Sequence, residues 1–319
     1  MAKEIRTAVI GTGYLGRFHA QKYMELPNSK LVGIVDIDKA RAEEIAKETN
    51  TQPYTDYTEL FGKVDAVSIV TPTDTHAEIG KALLAEGIDV LIEKPMTVTT
   101  EEAAELVTLA KEKGAILQIG HLERFNAAIV ALEGRVNNPV FIESHRLAPF
   151  NLRALDVDVV LDLMIHDIDI ILSLVDSEIE SINATGVPVV SGKVDIANAR
   201  LTFKNGCVAN ITASRVSKEP QRRVRLFQHD AYIAIDYAAQ NISISRLDRS
   251  KGGLPSIVEE ELDIEKVDSL KEEIIAFLNS VTTRTRPAVS GEDGKRALMV
   301  AAQIQEKTES SLRKIQKNL

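Results

Sequence analysis

Tryptophan is absent from this 319-residue sequence, cysteine occurs once, and aromatic residues make up only 4% of it. With Cys207 alone, no disulfide can form within the chain, which fits a reducing compartment. Positive charge is in deficit: 38 Lys and Arg stand against 47 Asp and Glu, a formal net charge of -9. An acidic surface disfavours nucleic acid or an anionic membrane as a default partner. It also means that a phosphate-bearing substrate needs its own local cluster of Arg or Lys. No uninterrupted apolar run is long enough to cross a bilayer, and the opening MAKEIRTAVIG lacks a signal peptide's apolar region and cleavage site. Internal repeats and low-complexity tracts are missing too. These absences point to a cytoplasmic protein that handles small molecules.

What is present is patterned. The length suggests two domains at roughly 150 residues each. Up to about Gly120, short β-branched runs (TAVIG, LVGIVD, AVSIVTP, VLIEKP, AILQIG) alternate with helical segments such as 41–47 and 101–113. That alternation predicts a parallel sheet with helices on both faces, an α/β dinucleotide-binding domain over residues 1–120. Residues 121–319 read as α+β with a largely antiparallel sheet. Ala197, Ala199, Leu201 and Phe203 alternate inward on one strand, Cys207, Ala209, Ile211 and Ala213 on the next, with Asn205-Gly206 as the turn. Segments 266–280 and 291–316 read as closing helices.

The stretch VIGTGYLG carries Gly11, Gly13 and Gly16 directly after a strand and at the start of a helix. Gly11 permits a tight turn, Gly13 lets the backbone approach a pyrophosphate, and Gly16 lets helix pack closely on strand. Thr12, Tyr14 and Leu15 complete this loop. Asp36 ends the second strand, about twenty residues on, where a carboxylate accepts from ribose hydroxyls and repels a 2′-phosphate. NAD is therefore expected rather than NADP. The bland alternative is an ordinary glycine turn with a surface Asp. Further strand ends carry Thr71-Pro72, Glu93-Lys94-Pro95 and His121, and ligands of open α/β sheets sit beyond such ends. Lys94 is a candidate to stabilise charge on an alcohol or carbonyl oxygen; a surface lysine is the alternative. Thr71, Pro72 and His76 are expected to shape a turn on the nicotinamide-ribose side, with a helix cap by Thr73 or Thr75 as the other reading. His121, Arg124 and Asn126 are candidates to line a ligand cleft, although Arg124 could equally pair with Glu123 or Glu143.

The helical stretch VLDLMIHDIDIILSL is almost wholly apolar, yet Asp162, His166, Asp169 and Ser173 fall at i, i+4, i+7 and i+11, one stripe on a helix. A solvated face would explain a polar stripe, but this one contains neither Lys nor Glu. His166 can take a proton near neutral pH, and Asp162 one turn away can orient it or bind a hydroxyl. A metal reading of the same residues lacks a supporting set of ligands, so no metal is expected.

Together, GTGYLGRFHA, TPTDTH, EKP and DLMIHDID resemble the glucose–fructose oxidoreductase/inositol dehydrogenase/rhizopine catabolism (Gfo/Idh/MocA) family, in the family's order and over essentially the whole chain. The resemblance implies a Rossmann domain, a second domain with a large open sheet, and NAD(H) or NADP(H). It maps the family's EKP lysine onto Lys94 and its D-x-x-x-H pair onto Asp162 and His166. GHLERFNAA and HRLAPFNLRALDVDVVLDLMIHDID look like members that oxidise the 3-hydroxyl of UDP-N-acetylhexosamines, though Ala127 stands where the related pattern often has Pro. This implies UDP-N-acetylglucosamine as substrate, a 3-keto product for an aminotransferase ahead of amide-linked lipid A, and a homo-oligomeric state, dimer or tetramer. The uronate of the same sugar nucleotide, or a free polyol or monosaccharide, is the alternative substrate. In this reading His166 accepts the 3-OH proton, Lys94 steadies the oxygen, Glu93 and Arg124 flank the cofactor, and Asn126 meets the substrate. Arg124, Arg146, Arg153 and Arg215 are the candidate cations for the diphosphate. Arg215 continues the inward phase of its strand, so it either ends the strand or reaches a ligand. A non-catalytic NAD(H) sensor or repressor would instead want a DNA-reading helix and a basic surface, and the sequence has neither.

Overall fold

The computed structural model describes residues 4–151, 157–248 and 256–316. Arg153 lies outside them. Two compact units form. The first takes residues 1–125 and 268–296, the second 126–267 and 297–319.

The first unit contains β1 (Ile5–Ile10), α1 (Tyr14–Glu25), β2 (Ser29–Val35), α2 (Lys39–Glu48), β3 (Gln52–Tyr54), β4 (Ala66–Ile69), α3 (Thr73–Ala85), β5 (Asp89–Glu93), α4 (Thr100–Lys113) and β6 (Leu117–Gly120). All its strands pair in parallel in the order β3-β2-β1-β4-β5-β6. Chain order reverses between β1 and β4, the switch point where doubly wound sheets bind ligands. Strands β4 and β5 are buried at every residue, which is why they read as continuous apolar runs rather than alternating ones. Helix limits follow local chemistry. Asp38 caps α2, Thr99 and Glu102 form a reciprocal capping box on α4, and Gly114 ends α4 in a left-handed conformation. The sequence pattern missed β3, a three-residue edge strand containing Pro53, because a short proline-bearing edge carries little periodic signal.

The second unit holds α5 (Ala127–Val130), β7 (Phe141–Leu147), a π-helical turn (Val160–Met164) running into α6 (Ile165–Leu174), and the strands β8 (Ile179–Val187), β9 (Ile196–Phe203), β10 (Val208–Ser214), β11 (Gln221–Phe227), β12 (Ala231–Asp236), β13 (Asn241–Asp248) and β14 (Ser256–Glu261). The eight strands run β14-β13-β12-β11-β7-β10-β9-β8, antiparallel except for β7 beside β10. Strands β9 and β10 form the expected hairpin, and Ala199, Leu201, Phe203, Ala209, Ile211 and Ala213 are all fully buried. They pack with Val160, Met164, Ile168 and Ile171 of the helix and with Ala297, Ala301 and Ile304.

The closing helices are α7 (Ser269–Thr283) and α8 (Gly291–Gln316). A boundary at residue 120 would leave α7 with the C-terminal half. Its apolar stripe of Leu270, Ile274, Phe277, Leu278 and Val281 instead packs with Ala20, Tyr23, Val9 and Leu91, returning residues 268–296 to the first unit. Among the described residues no helix is long and apolar enough to cross a membrane.

Candidate active site

The glycine loop leaves β1 at the switch point. Gly11 has φ +93°, and a Cβ there would lie 2.5 Å from the Val70 carbonyl oxygen, so β4 closes that side of the turn. At Gly16 a Cβ would collide with the Gly11 carbonyl. Gly13 differs: a Cβ would meet nothing within 4 Å. Two glycines thus make the turn, while the third leaves open space in front of the N-terminus of α1, where a pyrophosphate would accept from backbone N–H groups. Asp36 Oδ2 accepts from the Thr12 backbone N–H at 2.8 Å and its hydroxyl at 2.5 Å, and Oδ1 accepts from the Asp38 N–H at 2.9 Å. Burial works against the Asp36 charge, but these hydrogen bonds and Arg41 outweigh it and hold the carboxyl below its ordinary value. Thr12 therefore orients the carboxylate. Tyr14 is exposed and meets Phe18 edge-to-face at 5.1 Å, and Leu15 packs against the core. A fixed anion at the end of β2 with open backbone at Gly13 fits a dinucleotide.

At the end of β5 the Lys94-Pro95 peptide bond is cis. Lys94 is half-buried, and its backbone N–H donates to Glu93 Oε2 at 3.1 Å. Glu93 is buried, and its other oxygen lies 3.2 Å from His19 Nε2, so the carboxylate faces the interior. His76, also buried, places Nε2 2.9 Å from the Thr71 carbonyl and Nδ1 3.0 Å from that of Pro95. It thereby clamps the Thr71-Pro72 turn to the Lys94-Pro95 turn. Pro72 is the N-cap of α3 without a side-chain cap, while Thr75 donates to Thr71 Oγ1 and the Pro72 carbonyl. Arg124 donates to the Ala288 carbonyl at 3.2 Å, and His121 is buried.

In the second unit the polar stripe is broken rather than continuous. The break falls between Asp169 and Ser173, within the regular helix α6, where the core stops covering that side. Asp162 and His166 are half-buried, Asp169 is 2% exposed inside the core, and Ser173 is on the surface, donating to the Ile170 carbonyl. Asp158 starts this segment by accepting from the Val160 and Leu161 N–H groups. Arg215, 4% exposed, donates to the Val157 carbonyl at 2.9 Å and sits 3.7 Å from Asp162 Oδ2. Its inward phase thus brings a guanidinium to the carboxylate one turn before His166.

Two residues expected to meet substrate have other partners. Arg146 is buried, with Nε 2.6 Å from Asp167 Oδ2, and its guanidinium lies over the Tyr237 ring at 5.4 Å. Asn126 caps α5 through the Ala128 N–H and donates to the Tyr237 carbonyl. Asp167, fully buried and also hydrogen-bonded by Ser144, escaped the sequence reading. A signal existed: Ser144 and Arg146 share the inward face of β7 with Ile142, and a buried guanidinium demands an acid.

Residues 5–121 match the oxidoreductase family with an NAD-binding Rossmann fold, and residues 128–233 match the GFO/IDH/MocA C-terminal domain. The chain is 42% identical to UDP-N-acetylglucosamine 3-dehydrogenase from Acidithiobacillus ferrooxidans, over 97% of this chain and 99% of that one. The chain belongs to the Gfo/Idh/MocA oxidoreductase family. The solved structure of that dehydrogenase superposes with a TM-score of 0.91 at 41% identity, covering 97% of this chain and 99% of that chain. A scyllo-inositol dehydrogenase from Lactobacillus casei, solved with NAD(H) and scyllo-inositol, shares the fold at TM-score 0.79 and 20% identity, over 97% of this chain and 98% of that one. As a Gfo/Idh/MocA member, the protein is an NAD-binding oxidoreductase acting on a CH–OH group of a sugar.

Proposed function

We propose that this protein oxidises the 3-hydroxyl of UDP-N-acetylglucosamine with NAD. The observation that carries this reading is the match along nearly the full length of both chains to a UDP-N-acetylglucosamine 3-dehydrogenase. When bound, NAD supplies the hydride acceptor at nicotinamide C4. His166 accepts the hydroxyl proton; its half-buried position leaves it access to substrate and to proton exchange. Asp162, steadied by Arg215, orients the imidazole or a neighbouring hydroxyl. Lys94 stabilises the oxygen as negative charge develops on it. Arg124 and Arg215 are the cations proposed for the diphosphate. The product is a ketone, a substrate that an aminotransferase can take, and amination is the consuming reaction proposed.

The test is NADH formation across UDP-N-acetylglucosamine, its uronate, free N-acetylglucosamine and myo-inositol, with an aminotransferase and amino donor present to remove ketone. Turnover with UDP-N-acetylglucosamine above all others is expected. Turnover confined to the uronate or to a free polyol would overturn the assignment.

A further inference from the structure

Behind Lys94, inside the first unit, lies a cluster that the mechanism above leaves unused. His19 and Tyr23 face inward from α1, Ser68 from β4, Glu93 from the end of β5, Gln118 from β6 and Glu273 from α7, and all are buried. One ligand atom from each of His19, Glu93 and Glu273 lies within 4.8 Å of the others. Two carboxyls this close, away from water, cannot both ionise without large cost.

Hydrogen bonding distinguishes the two. Glu93 holds His19 Nε2 on one oxygen and the Lys94 backbone N–H on the other. Neither carboxyl oxygen of Glu273 has a hydrogen-bond partner among the described residues. Burial, and then the charge of Glu93, push the Glu273 carboxyl well above its ordinary range. The donors form a line. Tyr23, whose phenol burial raises, lies 2.7 Å from Ser68 Oγ, which lies 3.1 Å from His19 Nδ1. Donation from Tyr23 to Ser68, Ser68 to His19 and His19 to Glu93 satisfies each group with a neutral imidazole. The backbone also makes room: Gly120 pairs with Glu93 in the β5–β6 ladder, and a Cβ there would fall 2.9 Å from the Glu93 carboxyl.

We propose that Glu93 is the positioning carboxylate of Lys94: oriented by His19 and seated over Gly120, it holds the lysine backbone N–H and so fixes the turn from which the lysine side chain leaves. This rests on the role assigned to Lys94 above. Among the described residues, the groups facing Glu93 in the cluster are His19 and Tyr23 of α1, Ser68 of β4, Gln118 of β6 and Glu273 of α7, with the Lys94 backbone N–H.

The experiment uses full-length protein with NAD, comparing wild type with Glu93→Gln, His19→Leu, His19→Gln and Gly120→Ala. The Lys94 amine is titrated by competitive acylation read by mass spectrometry, alongside kcat and KM across pH. In Glu93→Gln, His19→Leu and Gly120→Ala, the proton concentration at half-reaction of Lys94 is expected to change about tenfold, one pKa unit, as the lysine leaves its place. kcat should fall about tenfold with KM within about twofold, and His19→Gln, which keeps a neutral donor, should recover most of the loss. Should Glu93→Gln not fold, Gly120→Ala, which keeps every charge, decides. Unmoved Lys94 titration in folded variants overturns the proposal, as does a stoichiometric metal ion bound by these three residues. Failure of the Lys94 reading shows differently: Lys94→Met would then turn over normally while the titration still shifts.

Discussion

Asp167 and Glu273 are both carboxyls with no exposed surface, and the two units neutralise them by different means. In the second unit a cation does it. Arg146 reaches Asp167 from β7, Ser144 adds a hydrogen bond, and the Tyr237 ring covers the guanidinium. In the first unit neither carboxyl oxygen of Glu273 has a hydrogen-bond partner among the described residues, and burial with the nearby Glu93 charge pushes the group well above its ordinary range, which favours a proton in place of a cation. An arginine keeps its charge at any working pH, so the first device is rigid and insensitive to pH. A proton can be lost, so the second responds to pH. In the second unit His166, a residue assigned to chemistry, precedes the buried acid Asp167; in the first, Lys94 follows Glu93, the anionic neighbour of Glu273 rather than Glu273 itself.

The largest test of this contrast is Arg146→Leu, which strands a buried carboxylate and should cost about 3–5 kcal/mol in urea unfolding. The double variant Arg146→Leu/Asp167→Leu should recover most of it. A loss below about 1 kcal/mol in the single variant would mean that water or a rearranged partner replaces the guanidinium. Next come the neighbours. Lys94→Met and His166→Asn should each reduce turnover at least about 100-fold, with NAD affinity by fluorescence titration nearly unchanged. Near-normal turnover in both would detach the buried acids from any catalytic role.

A third buried acid extends the comparison. Asp195 is neutralised by the backbone, accepting from the Val189, Val190 and Ser191 N–H groups and the Ser191 hydroxyl. Burial opposes its charge, but the Ser191 hydroxyl and these N–H groups hold the carboxyl down at about 2. A depressed acid stabilises the fold above its unfolded value and loses that contribution as pH falls from about 4 toward about 2. Asp195→Asn should cost about 1–2 kcal/mol at neutral pH, allowing for solvent over this exposed loop, and converge with wild type in acid. Unfolding curves at stepped pH would show it, and a cost that persists unchanged in acid would mean the charge is irrelevant.

The last test, Glu273→Gln, has the opposite pH dependence. A raised acid binds its proton more tightly folded than unfolded, so stability is complete below the unfolded value and declines as pH rises above it. The variant should match wild type below the ordinary carboxyl range and become increasingly the more stable of the two as pH rises through neutrality. Thermal midpoints tracked over pH measure this. Parallel curves would show that Glu273 carries no folded-state proton.

The shape of the glycine loop was legible because its interactions are local. Gly11, Gly13 and Gly16 act within one turn, and Asp36 lies at a fixed distance along a βαβ unit, so spacing alone identified them. Arg215 was also readable, since strand alternation predicts which way a side chain points. The stripe from Asp162 to Ser173 was only half readable, because spacing puts residues on one side of a helix but does not say how far along it the core covers that side. His19 and Glu273 left no signal: they lie 254 residues apart on two helices, and neither helix's own pattern names the other.

Taken alone, the order of residues determined the element types, the glycine turn, the acid at the end of β2 and the inward faces of the strands, because backbone sterics and burial periodicity act over a few residues. Only tertiary structure decided which polar groups are held by partners within the fold. Arg146 had the charge for a phosphate and is held by Asp167 instead, and α7 joins the first unit despite its place in the chain. Whether a buried acid is answered by a cation, a proton or backbone N–H groups depends on what distant segments bring within a few ångströms, and linear spacing does not encode that distance.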